Sequence, residues 1–137
     1  MYALTNCFLH NASKRLEAPA VLIEGRHIAD IVEASDIPPH VPRYDLAGGH
    51  LAPGFIDIQV NGGDGVMFNT APTTETIVRI ARAHRRFGTV GFLPTLITDD
   101  RANIIQAIDA VCGALSAATP GLLGIHLEGP IINPERK

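Results

Sequence analysis

Apolar and polar positions follow two different rhythms along this chain, and the rhythm changes near residue 50. Before that point the runs are short. Residues 2–9 alternate loosely with a period of two, and residues 20–23 are apolar. Glu24-Gly25-Arg26 then supplies a hairpin turn, after which residues 27–32 resume a strand pattern. The segment Ile37-Pro38-Pro39-His40-Val41-Pro42 suits neither a regular helix nor a central strand, because proline lacks the amide donor that both use. Residues 44–46 predict a last short strand and Gly48-Gly49 a turn, so residues 1–50 read as a small β module.

Beyond residue 50 the runs lengthen. Residues 51–60 predict a strand interrupted early by Pro53-Gly54, and Asn61-Gly62-Gly63-Asp64-Gly65 a long flexible loop. Residues 74–87 carry a helical period, with Ile77, Ile80 and Ala81 on one face and Arg79, Arg82, Arg85 and Arg86 mostly elsewhere, a solvated face. Gly88 suits the helix end. Residues 89–97 predict a second strand. Thr98-Asp99-Asp100 offers capping chemistry for a helix over 102–115, whose Ile104, Ile108, Val111 and Leu115 form one stripe. Pro120-Gly121 breaks the chain before a third strand over 122–127. Alternating strands and helices imply a parallel sheet covered by helices, either a doubly wound sheet or a β/α barrel.

Strands of an all-parallel sheet are ordinarily apolar on both faces, and two strands here are not. With side chains alternating, Ile56, Ile58 and Val60 share one face of the first strand, and Phe55, Asp57, Gln59 and Asn61 the other. In the third, Ile125 and Leu127 oppose Gly124, His126 and Glu128; the second ends in Thr95, with Gly91 and Leu93 on the same side. In a barrel the polar faces converge inside, at the C-terminal strand ends where such barrels carry their sites. A flat sheet would bury Asp57 and His126 under helices without partners, which is costly. The barrel is the expectation.

Composition narrows the partners. With 11 basic against 14 acidic residues and 5% aromatics, neither a polyanion-binding surface nor a base-stacking platform is expected. Cys7 and Cys112 lie far apart in no CxxC spacing and read as two buried, reduced thiols of a cytosolic protein. The N-terminus lacks the pattern of a signal peptide, and no apolar run approaches the roughly 20 residues of a membrane span. A cytoplasmic protein without membrane partners follows.

Glu128 ends its strand before Gly129-Pro130, as a metal ligand, a general base or, as readily, a partnered carboxylate capping the next loop. His126, two residues deeper, reads first as a hydrogen-bonded core histidine and second as a supporting site residue. Gln59 has weak metal affinity and would orient a substrate or a water. Asn61 at the loop start reads first as a turn former. The Gly62-Gly63-x-Gly65 loop is weak evidence for phosphate binding.

Three segments together carry a family likeness. Leu51-Ala52-Pro53-Gly54-Phe55-Ile56-Asp57 resembles the first barrel strand of the amidohydrolase superfamily, most of whose members continue with a His-x-His metal pair. Gln59 and Asn61 stand at the matching positions, a replacement similar to that of the N-acetylglucosamine-6-phosphate deacetylase family. Residues 92–98 and 124–130 resemble that family's second and third strands. The resemblance implies an α/β fold: the first three β/α units of a TIM-type (β/α)8 barrel over residues 51–137, preceded by a small, incomplete β-sandwich over residues 1–50. It implies Glu128 as a ligand of one divalent metal ion, zinc by first choice, and Gln59 and Asn61 in the place of a lost second metal site. It implies deacetylation of a small phosphorylated amino sugar by a homodimeric enzyme, with the histidine ligands and catalytic aspartate beyond Lys137. A full barrel takes roughly 250 residues, so the chain is expected to be a fragment, inactive alone. Two alternatives stand beside this: another amidohydrolase acting on cyclic amides or N-acyl amino acids, and a non-catalytic α/β binding domain.

Overall fold

The computed structural model describes residues 1–11, 15–17, 19–133 and 135, with backbone alone for 15–17. It divides into two compact units, Met1–Pro53 and Gly54–Lys137. No helix among the described residues is long and apolar enough to cross a membrane.

The first unit is one five-stranded sheet of β1 (Tyr2–His10), β2 (Arg15–Glu17), β3 (Pro19–Glu24), β4 (His27–Glu33) and β5 (Arg43–Leu51). β1 is central, antiparallel to β2 and β3 and parallel to β5. β3 and β4 form the expected hairpin through Gly25, whose φ of 59° suits the tight turn. Ala3, Ala20 and Leu22 pack with Ile37 and Val41 of the proline-rich segment, which covers that face. The described strands form this single sheet, so a second layer facing it, as a sandwich requires, is not among them. Gly48-Gly49 is not a turn: β5 runs through both. Its register against β1 slips between Thr5 and Cys7, where Asn6, Ala47 and Gly48 adopt positive φ and the Asp45 carboxylate accepts from the Ala47 amide and the Asn6 side chain, both at 2.7 Å. The glycines expected to form a turn lie instead in an irregular stretch of continuing strand.

The second unit contains β6 (Phe55–Val60), β7 (Gly62–Gly63), β8 (Val66–Met67), α1 (Thr74–Arg85), β9 (Thr89–Ile97), α2 (Arg101–Ser116) and β10 (His126–Glu128). The parallel sheet runs β10-β9-β6. Both helices cover the same face, because Ile77 and Ile80 of α1 and Ala107, Val111 and Ala114 of α2 share one core with Phe92 and Leu96 of β9. α1 is capped by Thr73, which accepts from the Thr76 amide, and α2 by Asp100, which accepts from the Asn103 amide at 2.8 Å.

Four expectations are corrected here. The glycine-rich loop is a tight hairpin: β7 and β8 pair across Asp64-Gly65, both at positive φ, the conformation of a two-residue turn. The α2 stripe is Ala107, Val111 and Ala114 flanked by Ile104, while Ile108 and Leu115 are exposed. Small residues win that face because the helices approach closely, with the Thr74 hydroxyl donating to the Ala110 carbonyl at 3.3 Å. Cys112 is exposed, and only Cys7 is buried, its thiol pKa raised by desolvation. The third strand is shorter than predicted: Leu122 only bridges to Phe92, and regular pairing covers His126–Glu128.

Candidate functional site

The face of the parallel sheet turned away from the helices is apolar toward the strand starts and polar toward their ends. At the start, Ile56 and Leu123 lie against Gly91, both about two-thirds to half exposed. At the end stand Gln59, Thr95, His126 and Glu128. His126 pairs in register with Thr95 and Glu128 with Ile97, so the third strand carries its polar side chains on this face while Ile125 and Leu127 pack toward the helix-side core.

The first strand reaches the same arrangement by a different path from the regular alternation expected. Asp57 pairs with Phe92 and Val60 with Pro94, so Ile58 and Gln59 together stand opposite the single residue Leu93. This is a β-bulge, which shifts the alternation by one position. Ile56 and Ile58 therefore do not share the buried face of Val60: they are 64% and 66% exposed, against 2% for Val60. Asp57 does not extend the polar row. Its carboxylate turns back to accept the Gln59 amide at 3.1 Å and so secures the bulge.

The bulge delivers Gln59 to Glu128. The Gln59 Nε2 donates to Glu128 Oε2 at 3.2 Å, joining residues 69 positions apart. The Glu128 carbonyl accepts from the Thr98 hydroxyl at 3.0 Å, so the residue is held through both side chain and backbone. His126 Nδ1 lies 3.0 Å from the Ile58 carbonyl and 3.4 Å from Thr95 Oγ1. A carbonyl only accepts, so Nδ1 carries the proton there, and a neutral ring keeps its lone pair on Nε2. The Asn61 carbonyl accepts the Phe68 amide at 2.8 Å and closes the β7–β8 hairpin. The structure thus joins Gln59 directly to Glu128 and ties His126 to the same bulge through Ile58.

Sequence reasoning missed the supporting residues Asn69 and Asn103, which with Asp99 fasten the end of β9 to the start of α2, and took Thr98 and Asp99 for capping chemistry alone. Asn69 donates to the Ile97 carbonyl at 3.0 Å and accepts from the Ile97 amide at 2.9 Å. Asn103 donates to the Asn69 carbonyl at 3.1 Å and to Asp99 at 2.6 Å. Asn69 lies 28 positions from its partner, and nothing in a local pattern signals that contact. After the last strand, Pro134, Arg136 and Lys137 lie outside the described residues. A groove of about 500 Å³ beside α1, lined by Asp64, Thr74, Glu75, Val78, Arg79 and Arg82, holds none of the predicted site residues.

A divalent cation asks for anionic oxygen or nitrogen donors, and the donor set here fits part of that need. Glu128 offers a partly exposed carboxylate whose Oε2 is already oriented by a neutral amide. Among the described residues no group of three or more His, Cys, Asp or Glu is gathered closely enough to hold a metal.

Parallel strands with both helices on one face and polar groups at their C-terminal ends define a β/α protein. Comparison with known proteins narrows the class: residues 1–51 match the NagA composite domain family. An N-acetylglucosamine-6-phosphate deacetylase from Haemophilus influenzae is 35% identical over 136 residues, covering 99% of this chain and 36% of the relative. The crystal structure of N-acetylglucosamine-6-phosphate deacetylase from Pasteurella multocida matches with a TM-score of 0.90 and 33% identity over 98% of this chain and 35% of that one. An N-acetylgalactosamine-6-phosphate deacetylase from a Shewanella species is 50% identical over 96 residues, 70% of this chain and 24% of the relative. The chain is therefore related to the amino-sugar-phosphate deacetylases, and it spans between a quarter and about a third of the length of these relatives.

Proposed function

We propose that this chain is part of a metal-dependent enzyme that removes the acetyl group from N-acetylglucosamine 6-phosphate, with Glu128 as a ligand of a single divalent ion, zinc by first choice. The observation that carries the reading is the contact of Gln59 with Glu128 at 3.2 Å, at the C-terminal ends of parallel strands. A neutral amide stands there, where a second ion would need a charged or imidazole ligand, and it steers one oxygen of the carboxylate. Asn61, the residue after β6, would supply a second neutral amide. In the reaction water adds to the acetyl carbonyl, the C–N bond breaks, and the amine leaves with a proton, giving acetate and glucosamine 6-phosphate. A cation at Glu128 would supply Lewis acidity toward the amide carbonyl. The other ligands and the proton-transfer group come, on this reading, from later strands of a closed β/α barrel.

The progression of the sheet fits the barrel. β6, β9 and β10 add in sequence order with both helices on one face, as in a barrel, an order that the first half of a doubly wound sheet shares; the uncovered polar face is what favours the barrel. The apolar base formed by Ile56 and Leu123 beneath a polar rim is the arrangement a barrel interior requires.

The 50% identity to an N-acetylgalactosamine-6-phosphate deacetylase supports a second reading of the sugar, the C4 epimer. The experiment is release of acetate by the full-length protein from each 6-phosphate, with and without zinc, beside Glu128→Gln. Zinc-dependent turnover that Glu128→Gln abolishes supports the enzyme reading, and the ratio of kcat/KM for the two sugars decides between them. No turnover of either sugar overturns both readings.

A further inference from the structure

We propose that Thr98 and Asn69 are positioning residues for Glu128; the inference rests on reading Glu128 as a metal ligand. β6 ends at Val60, opposite Pro94, so the last residues of β9 have no strand on that edge. Asn69 takes the place of one. Its amide engages the carbonyl and amide of Ile97 at 3.0 and 2.9 Å, as a neighbouring backbone would. Ile97 is the register partner of Glu128 on the opposite edge. Asn69 is itself held by Asn103, which donates to its carbonyl at 3.1 Å, and it donates to Asp99 at 3.1 Å.

Thr98 therefore sits between two fastened residues, Ile97 and Asp99. Its hydroxyl donates to the Glu128 carbonyl at 3.0 Å. The following residue makes room for that contact: Gly129 has a φ of 114°, and a Cβ there would collide with Thr98 Oγ1. The carboxylate is thus located at one end by Gln59 and at the other by a backbone that Thr98 pins to the rim of β9. Neither Thr98 nor Asn69 touches a reacting group on this reading. Both act through Glu128.

The test is zinc affinity of the full-length protein, measured by competition with a chromophoric chelator after metal removal. Thr98→Val keeps the side-chain shape and deletes the donor. It is expected to weaken zinc binding about 10-fold or more, the range seen when partners of metal ligands are removed, and Thr98→Ser to restore it. Asn69→Asp, which loses the donor to Ile97, is expected to weaken it likewise, and it decides by the same criterion should Thr98→Val fail to fold. Wild-type affinity in folded Thr98→Val and Asn69→Asp, together with lost affinity in Glu128→Gln, overturns this inference and leaves the function standing. Zinc binding that is absent from the wild type, or indifferent to Glu128→Gln, overturns both.

Discussion

Phe68→Ala tests whether the β7–β8 hairpin is anchored from below. Phe68 is 0% exposed and packs in the core shared by Ile77, Ile80 and Val60. Its own amide donates to the Asn61 carbonyl at 2.8 Å, so the side chain that fills the core also ends the segment that begins at Gln59 and Asn61. Truncating a fully buried phenylalanine costs about 3–5 kcal/mol, the transfer of the ring plus the cavity it leaves. Against a domain stability of roughly 5–15 kcal/mol this is a large fraction. With a urea slope of about 2 kcal/mol per molar, the unfolding midpoint should fall by about 2 M at unchanged slope. Met67 provides the control: it precedes Phe68 in the same hairpin, is 47% exposed, and its replacement by alanine should cost within about 0.5 kcal/mol. The assay is urea unfolding of the purified protein followed by circular dichroism. A midpoint for Phe68→Ala no lower than that for Met67→Ala would refute the anchoring argument.

Asp45 is held below the ordinary aspartate value of 3.8 by the Ala47 amide first and the Asn6 side chain second. A depressed folded pKa means that its stabilising effect is present above the ordinary value and is lost as pH falls through the depressed one. Carbon-detected NMR of the Asp45 carboxyl should place its midpoint below 3.8, and Asn6→Ala should move it upward. An unshifted midpoint in the wild type would remove the contact from solution. Replacing Gln59 and Asn61 together by histidine is expected to raise bound zinc from about one ion per chain to about two, since imidazole is a zinc ligand and a carboxamide is a poor one. Elemental analysis of the full-length double variant giving one ion would break the proposed correspondence with a second metal site.

The elements that were legible in the sequence are those with sustained period and clear ends. The bounds of β9, 89–97, are legible because a run holding Val90, Phe92, Leu93, Leu96 and Ile97 lies between Gly88 and the capping Asp100. The β3–β4 hairpin was read from two runs around Gly25. What failed was local irregularity and close packing. Gly48-Gly49 and the glycines after Asn61 carry turn chemistry that serves equally in a bulged strand and in a tight hairpin, and only partner strands decide which. On α2 the larger residues Ile108 and Leu115 lost the buried face to alanines, since the distance between helices is a tertiary quantity that a hydrophobic stripe does not encode. Of the candidate site, Glu128, His126 and Gln59 were legible as polar residues where apolar ones belong. Asn69 and Thr98 were not, because polar residues in loops carry no such contrast.

The four residues where regular alternation fails, Asp57 to Val60, carry one member of the candidate site, Gln59, and touch two others. A regular strand over 55–60 would aim Asp57 and Gln59 together at the polar face and pack Ile56 and Ile58 with Val60. The bulge instead spends Asp57 on holding the backbone, at 3.1 Å from the Gln59 amide, leaves Ile56 and Ile58 exposed, and sends one amide across to Glu128. Such a bulge forfeits ladder pairing between Asp57 and Val60, and an isolated parallel sheet gains nothing from it. At this irregularity the Ile58 carbonyl takes the His126 ring at 3.0 Å. One irregularity thereby fixes the amide beside the carboxylate and the tautomer of the histidine next to it. A local departure from the strand rule that recruits two residues 68 and 69 positions away is better accounted for by a site than by the packing of the sheet.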